Sequence, residues 1–160
     1  MTYMQPTGVF LHDGQGRRIP GPEGITVKAG ADDTDGRVAV LESTSDPGFG
    51  PPRHVHHGSD ELFYVLGGEF DILVGTEVVH ATRGSFVRVP RGTVHAPRVV
   101  GSEPGKVLIV FAPGGPDKVF DDLAALAAEL GGPPDPDDPR VTAIIERYDS
   151  AFVGPPLDAR

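Results

Sequence analysis

The sequence predicts an all-β protein of two antiparallel layers with a short helical extension at its C-terminal end, and three observations point there. Apolar and β-branched residues recur in short runs, several of them alternating with polar ones. Gly-rich turns separate nearly all of these runs at short intervals, which is the spacing of a sandwich or barrel. Helical spacing of apolar side chains is read only beyond residue 116.

The first 24 residues hold Gly8, Gly14, Gly16, Pro20, Gly21, Pro22 and Gly24, which forbid a long helix and allow at most short edge strands. Such strands would pair with the barrel or with a neighbouring subunit. Residues 25–28 alternate as a strand should, 30–36 form a polar connection, and 37–44 read as the next strand. Further strands follow around His54 and over 61–66, 70–74, 77–81, 85–89, 95–100 and 106–111. Phe70, Ile72 and Val74 share one strand face while Leu73 joins Asp71 on the other, a pattern suited to two layers with an added cover.

The tail is the expected cover. Phe120, Leu123, Leu126, Ala127 and Leu130 fall at helical spacing, with Asp117 as the expected N-cap and Gly131 as the stop. Residues 131–139 include four prolines and read as a linker. Val141, Ile144, Ile145 and Tyr148 mark a second short amphipathic helix, and 152–157 end the chain extended. Both helices read as packing elements that also close one mouth of the barrel. The expected division is therefore a barrel with N-terminal edge strands over 1–114 and a helical extension packed on it over 115–160.

Composition narrows the function classes. A chain of 160 residues is expected to form one domain, able to bury a core without disulfides. It has no cysteine, which excludes thiolate metal sites, iron–sulfur clusters and thiol nucleophiles and fits a cytosolic setting. Fourteen Lys and Arg against twenty-three Asp and Glu give a formal charge of -9 with no basic run, so nucleic acid and anionic membranes are not expected partners. The start of the sequence has no basic segment followed by an apolar run of secretory length, and the strongly apolar stretch 107–112 is too short to span a bilayer. A cytoplasmic protein is the expectation.

The chemistry concentrates in two stretches, 48–68 and 84–95, which carry four of the six histidines. His54 and His56 follow Pro51 and Pro52 in an extended context, so both imidazoles project to the same side, and His57 points away toward solvent. After a break at Gly58 and Ser59, Glu61 opens the next strand, and a hairpin of the two would bring two nitrogen donors and one carboxylate to one point. That set suits a first-row transition metal. In the second stretch Pro90 stops a strand, Gly92 permits a turn, and His95 follows as a fourth donor. An isolated His-x-His pair is a weak signal; a glutamate at fixed distance and a distant Pro-x-Gly-x-x-His make it a specific one.

These residues carry a resemblance. Gly48, His54, His56, Glu61 and Gly68 resemble the first motif of the cupin superfamily in type and spacing, and Gly84, Pro90, Gly92 and His95 resemble its second, fifteen residues further on. The resemblance covers about residues 35–112 and implies a double-stranded β-helix, or jelly-roll, barrel. One position departs: the Asn that usually follows the second-motif His by four residues is Val99 here, which removes a polar group and leaves the donors intact. The C-terminal arrangement is similar to single-domain, quercetin dioxygenase-like members. The resemblance implies one divalent metal ion (iron, manganese, nickel, cobalt, copper or zinc), a homodimer, and a small-molecule substrate together with dioxygen.

Three imidazoles and a carboxylate leave one or two positions open on a five- or six-coordinate ion. Glu61 is the expected catalytic base, beside a Lewis acid, for an enol or phenol. Phe63 and Val65 share its strand face and, with Val99, should line the substrate pocket, where Arg53 and Arg88 would steer an anion. The reaction expected first is dioxygenation of an enolic or aromatic, flavonol-like or diketone substrate. A non-redox isomerase, lyase or polyketide-type cyclase on the same metal is the second reading, and a metal-dependent binder without catalysis the third.

Overall fold

A computed structural model describes residues 8–158. Eleven strands are seen among them: β1 (Arg17–Ile19), β2 (Ile25–Ala29), β3 (Ala39–Ser45), β4 (Pro52–His56), β5 (Asp60–Gly67), β6 (Glu69–Val74), β7 (Glu77–Thr82), β8 (Phe86–Val89), β9 (His95–Val100), β10 (Gly105–Ala112) and β11 (Ser150–Pro156). Helices α1 (Lys118–Leu130) and α2 (Pro139–Arg147) lie between β10 and β11. All strand pairs are antiparallel, in two sheets ordered β1-β2-β3-β10-β5-β8 and β11-β4-β9-β6-β7. No helix among the described residues is long and apolar enough to cross a membrane.

The period-two alternation sends one face of each sheet inward. On β3 that face is Ala39, Leu41, Ser43 and Ser45; on β10 it is Gly105, Val107, Ile109 and Phe111. Phe63 and Val65 of β5 meet Phe70 and Ile72 of β6 in the same core. Full burial of side chains of this size contributes roughly 1.5–3 kcal/mol each, so the interleaved faces hold the sheets together. Gly105 is required where the layers meet, because a Cβ there would run into the Phe70 ring.

Helix α1 ends as expected at Gly131, whose φ is 75°. Its start differs. Asp117 has helical backbone angles and does not cap the helix; its buried carboxylate accepts instead from the Gly115 N–H at 2.8 Å and from the Ala31 N–H at 3.0 Å. It thereby ties the helix to a 3-10 turn over Ala31–Thr34, inside the stretch expected to be a plain polar connection. Helix α2 has the Asp138 side chain accepting from the Arg140 N–H, with Pro139 at its first turn. Val119 and Leu126 of α1 pack on Val141, Ile144 and Ile145 of α2, a second small core.

The end of the chain is extended, as expected, and its partner is a strand of the barrel. As β11, residues 150–156 hydrogen-bond to β4 and become the outer strand of the second sheet, with Ser150 opposite His56 and Phe152 opposite His54. Strand β9 meets β4 at the His54–His95 pair alone, so the opposite edge of this five-residue strand would otherwise stand open. The exposed edge is covered by the returning tail.

Candidate metal centre

The two histidine-bearing strands are neighbours in one sheet, and His54 faces His95 directly across the β4–β9 pair. A backbone bond fixes this meeting: the Gly92 N–H, in a turn with φ 77°, donates to the His56 carbonyl at 2.7 Å. Glu61 arrives from elsewhere. Strands β4 and β5 are not hairpin partners, as the sequence suggested, but belong to opposite sheets, so the carboxylate reaches the imidazoles across the barrel interior. The Gly58–Ser59 break carries the chain from one layer to the other.

One donor atom from each of His54, His56, Glu61 and His95 lies within 4.8 Å of the others. Glu61, His56 and His95 are buried, at 4 %, 8 % and 1 % exposure. Taking a carboxylate out of water costs several kcal/mol, so it needs donors. Glu61 Oε2 has them, 2.6 Å from His95 Nε2 and 3.1 Å from His56 Nε2. Burial pushes the Glu61 carboxyl upward, and these hydrogen bonds and charges outweigh it and hold the group below the usual carboxylate range. For His95 burial lowers the imidazole, but the bond to Glu61 and its charge raise it on balance. His54 is pushed down to about 3, first by burial and then by the neighbouring His95 charge, and so stays neutral.

The outward ring nitrogens test whether these residues fit an ion. His54 Nδ1 is 2.8 Å from the Pro52 carbonyl and His95 Nδ1 is 3.0 Å from the Thr93 carbonyl. A carbonyl only accepts, so each Nδ1 carries the proton and each Nε2 is left to face the cluster. His56 Nδ1 lies 2.7 Å from Ser150 Oγ, whose own hydroxyl donates to the Tyr148 carbonyl at 3.1 Å. With its proton spent there, Ser150 receives the His56 Nδ1–H. All three imidazoles thus direct Nε2 at the cluster, where an ion would take the place of the Nε2 protons that His56 and His95 give to Glu61. The donor set could hold one divalent transition-metal ion; it does not select which.

Beside the cluster opens a cavity of about 660 Å³. Phe63, Phe111 and Val99 form part of its wall, and helices α1 and α2 contribute Phe120, Leu123, Val141 and Ile145. Val65 shares the Glu61 face as expected, yet it is fully buried in the core and does not reach the cavity. Arg53 and Arg88 are also outside it. Arg53 donates to the Pro155 and Pro156 carbonyls and so clamps β11, while Arg88 pairs with Asp60 at 2.9 Å on the surface. Both sit where strand parity turns the side chain outward. His57 is exposed, its backbone N–H bonded to the Asp149 carbonyl. Ser150 and the wall residue Glu23 carried no motif signal in the sequence. Ser150 becomes recognisable only once β11 is paired with β4, and Glu23 only once its turn is folded against β3.

Comparison with known proteins agrees with this geometry. Residues 41–111 match the family model described as the cupin domain, the segment that contains all four donors. An uncharacterized protein of Streptomyces coelicolor is 42% identical over 57 residues, 36% of this chain and 53% of that one; the chain spans about half the length of this curated relative. Among solved structures, an RmlC-like cupin from Shewanella frigidimarina superposes with a TM-score of 0.56 at 20% identity, covering 71% of this chain and 98% of the other. The polyketide cyclase RemF from Streptomyces resistomycificus gives 0.57 at 18% identity, covering 66% and 80%. At these identities the likeness concerns the fold alone. The segment that matches the cupin domain model is thus the one that holds the four donors, and the two-sheet topology is the fold shared with these cupin structures.

Proposed function

We propose that the protein is a metal-dependent oxygenase acting on an uncharged enolic or aromatic substrate, with His54, His56, Glu61 and His95 holding the ion. The observation that carries this reading is the pairing of the four-donor cluster with its cavity. Among the described residues the cavity wall contains no Lys or Arg, and its titratable members are His54, His56, Glu61 and Glu23. An anionic group held away from the ion would be desolvated there without a countercharge. A substrate with an apolar body and one oxygen-bearing end loses nothing by entering.

The bound ion would supply Lewis acidity toward a substrate oxygen and, where the metal is redox-active, electron transfer toward dioxygen. The chain's own groups do the rest. Glu61, ionised and adjacent to His56 and His95, takes the enol or phenol proton on Oε2. Phe63, Val99 and Phe111 orient the apolar body and exclude water. The Nδ1 contacts keep the imidazoles from turning as the proton moves.

A second reading, a non-redox cyclase or isomerase, is favoured by one feature. Proton transfer through Glu61 needs no oxidant, and the solved polyketide cyclase shares this fold. Metal-loaded protein incubated with flavonol and diketone substrates in an oxygen electrode separates the two. Oxygen uptake matching substrate loss supports the oxygenase; equal turnover under strict anaerobiosis removes it in favour of the cyclase, and binding without turnover leaves only a ligand-holding role.

A further inference from the structure

Two ends of the cavity carry oxygen or nitrogen chemistry, and only one of them is the metal cluster. The other is the turn between β1 and β2. Gly21 and Gly24 close that turn with a backbone bond of 3.2 Å, and Glu23 between them lines the cavity, half-buried. The turn is pinned from β3: Ser43 Oγ donates to the Glu23 carbonyl at 2.6 Å and Ser45 Oγ at 3.2 Å. The Gly24 carbonyl accepts from the Thr44 N–H at 3.1 Å. The backbone that carries Glu23 is therefore fixed, while its carboxylate accepts from no other residue's side chain among the described residues. Burial raises this carboxyl above the usual range, its own backbone N–H offsetting part of the effect.

The strand register places this end far from the metal. Glu61 is level with Phe111 of β10, and Ser43 is level with Val107 of the same strand. Four residues of strand separate the two levels, roughly 13 Å at about 3.3 Å per residue. Between them the wall is Phe63, Ile109, Val107 and Val99 from the sheets, faced by Phe120 and Leu123 of α1. Nothing in that middle section donates or accepts from a side chain.

We propose that Glu23 is the distal anchor of the substrate site, accepting a hydrogen bond from a hydroxyl at the far end of an elongated, uncharged, multi-ring substrate whose near end binds at the metal. This rests on the reading that the substrate coordinates the ion held by His54, His56, Glu61 and His95. It adds a substrate class: an apolar body about two to three linked rings long, a chelating oxygen pair at one end and a phenolic or alcoholic hydroxyl at the other. Small diketones and short enols would reach the cluster and leave Glu23 unanswered.

Two probes that differ only at the far end test it. Zinc-loaded full-length protein, in which binding is not followed by oxidation, is titrated with unsubstituted flavonol and with flavonol bearing one para-hydroxyl on its pendant ring. Chelation is read from the red shift of flavonol absorbance. The hydroxylated probe is expected to bind about ten- to hundredfold tighter, the range of a hydrogen bond to a charged group. In Glu23→Leu the ratio of the two affinities should shrink to within about twofold, whatever the absolute affinity for unsubstituted flavonol, and Glu23→Gln, which keeps an acceptor, should retain an intermediate preference. Equal affinities in the unmodified protein with a clear red shift, or a preference that survives Glu23→Leu, would overturn the distal anchor and leave the metal-bound substrate standing. Absence of any red shift with either probe overturns both.

Discussion

The candidate metal cluster has a motif-borne half and a tail-borne half, and they differ in how they are built. His54, His56, Glu61 and His95 lie within 42 residues of chain on β4, β5 and β9, each delivered by strand parity and a turn glycine. Ser150 comes from β11, 94 positions from His56, and reaches the site only because the tail returns to the sheet. The difference teaches that donors are placed by local pattern, whereas the tautomer of one of them is placed by tertiary closure.

The comparison can be broken most sharply from the motif-borne half. His95→Ala removes one donor and leaves Glu61 with one fewer counterpart, so metal content after dialysis against a weak chelator should drop from one ion per chain to near none. Retention of a full equivalent, measured by elemental analysis with the fold checked by circular dichroism, would remove His95 from the ligand set. The tail's packing comes next. Leu126 is 7 % exposed between the two helices, and Leu126→Ala should cost about 2–5 kcal/mol in denaturant unfolding. Because Leu126 touches no donor, metal affinity per folded molecule should stay the same; a parallel loss would mean that the helices shape the cluster directly.

Ser150→Ala isolates the tail-borne half. Without an acceptor at Nδ1, the His56 ring is free to adopt the other tautomer, and metal affinity by competition titration should fall about ten- to hundredfold. Little change would assign the Ser150 contact to packing alone. The smallest effect is that of pH. His95 has its imidazole raised, so a proton competes with the ion there as pH falls, whereas His54, pushed down to about 3, and the depressed Glu61 offer no such competition. Affinity should therefore weaken on acidification through the His95 value, with at least one proton displaced per ion bound. A slope of two or more would show that a second donor titrates as well.

Much of this was legible before folding. The alternation of 61–66 announces β5, and the same parity that buries Phe63 also buries Glu61, so an acidic residue on an apolar face is already a sign of a site. Gly131 stops α1 where helical spacing ends. What misled was adjacency. Consecutive strands in a chain most often pair, which made β4 and β5 look like a hairpin; a jelly-roll barrel sends them to opposite layers instead. Arg53 and Arg88, close in sequence to the donors, are turned to the surface by strand parity and engage β11 carbonyls and Asp60.

The amino-acid order by itself determined which side chains could bind a metal and on which face of each strand they stand, because strand periodicity and turn glycines act over a few residues. Only the tertiary structure decided that Ser150 answers His56, that Glu23 stands at the far end of the same cavity, and that the wall between that end and the donor cluster is apolar. Those relations depend on segments up to 94 residues apart meeting through sheet register, and no local pattern encodes a partner at that distance.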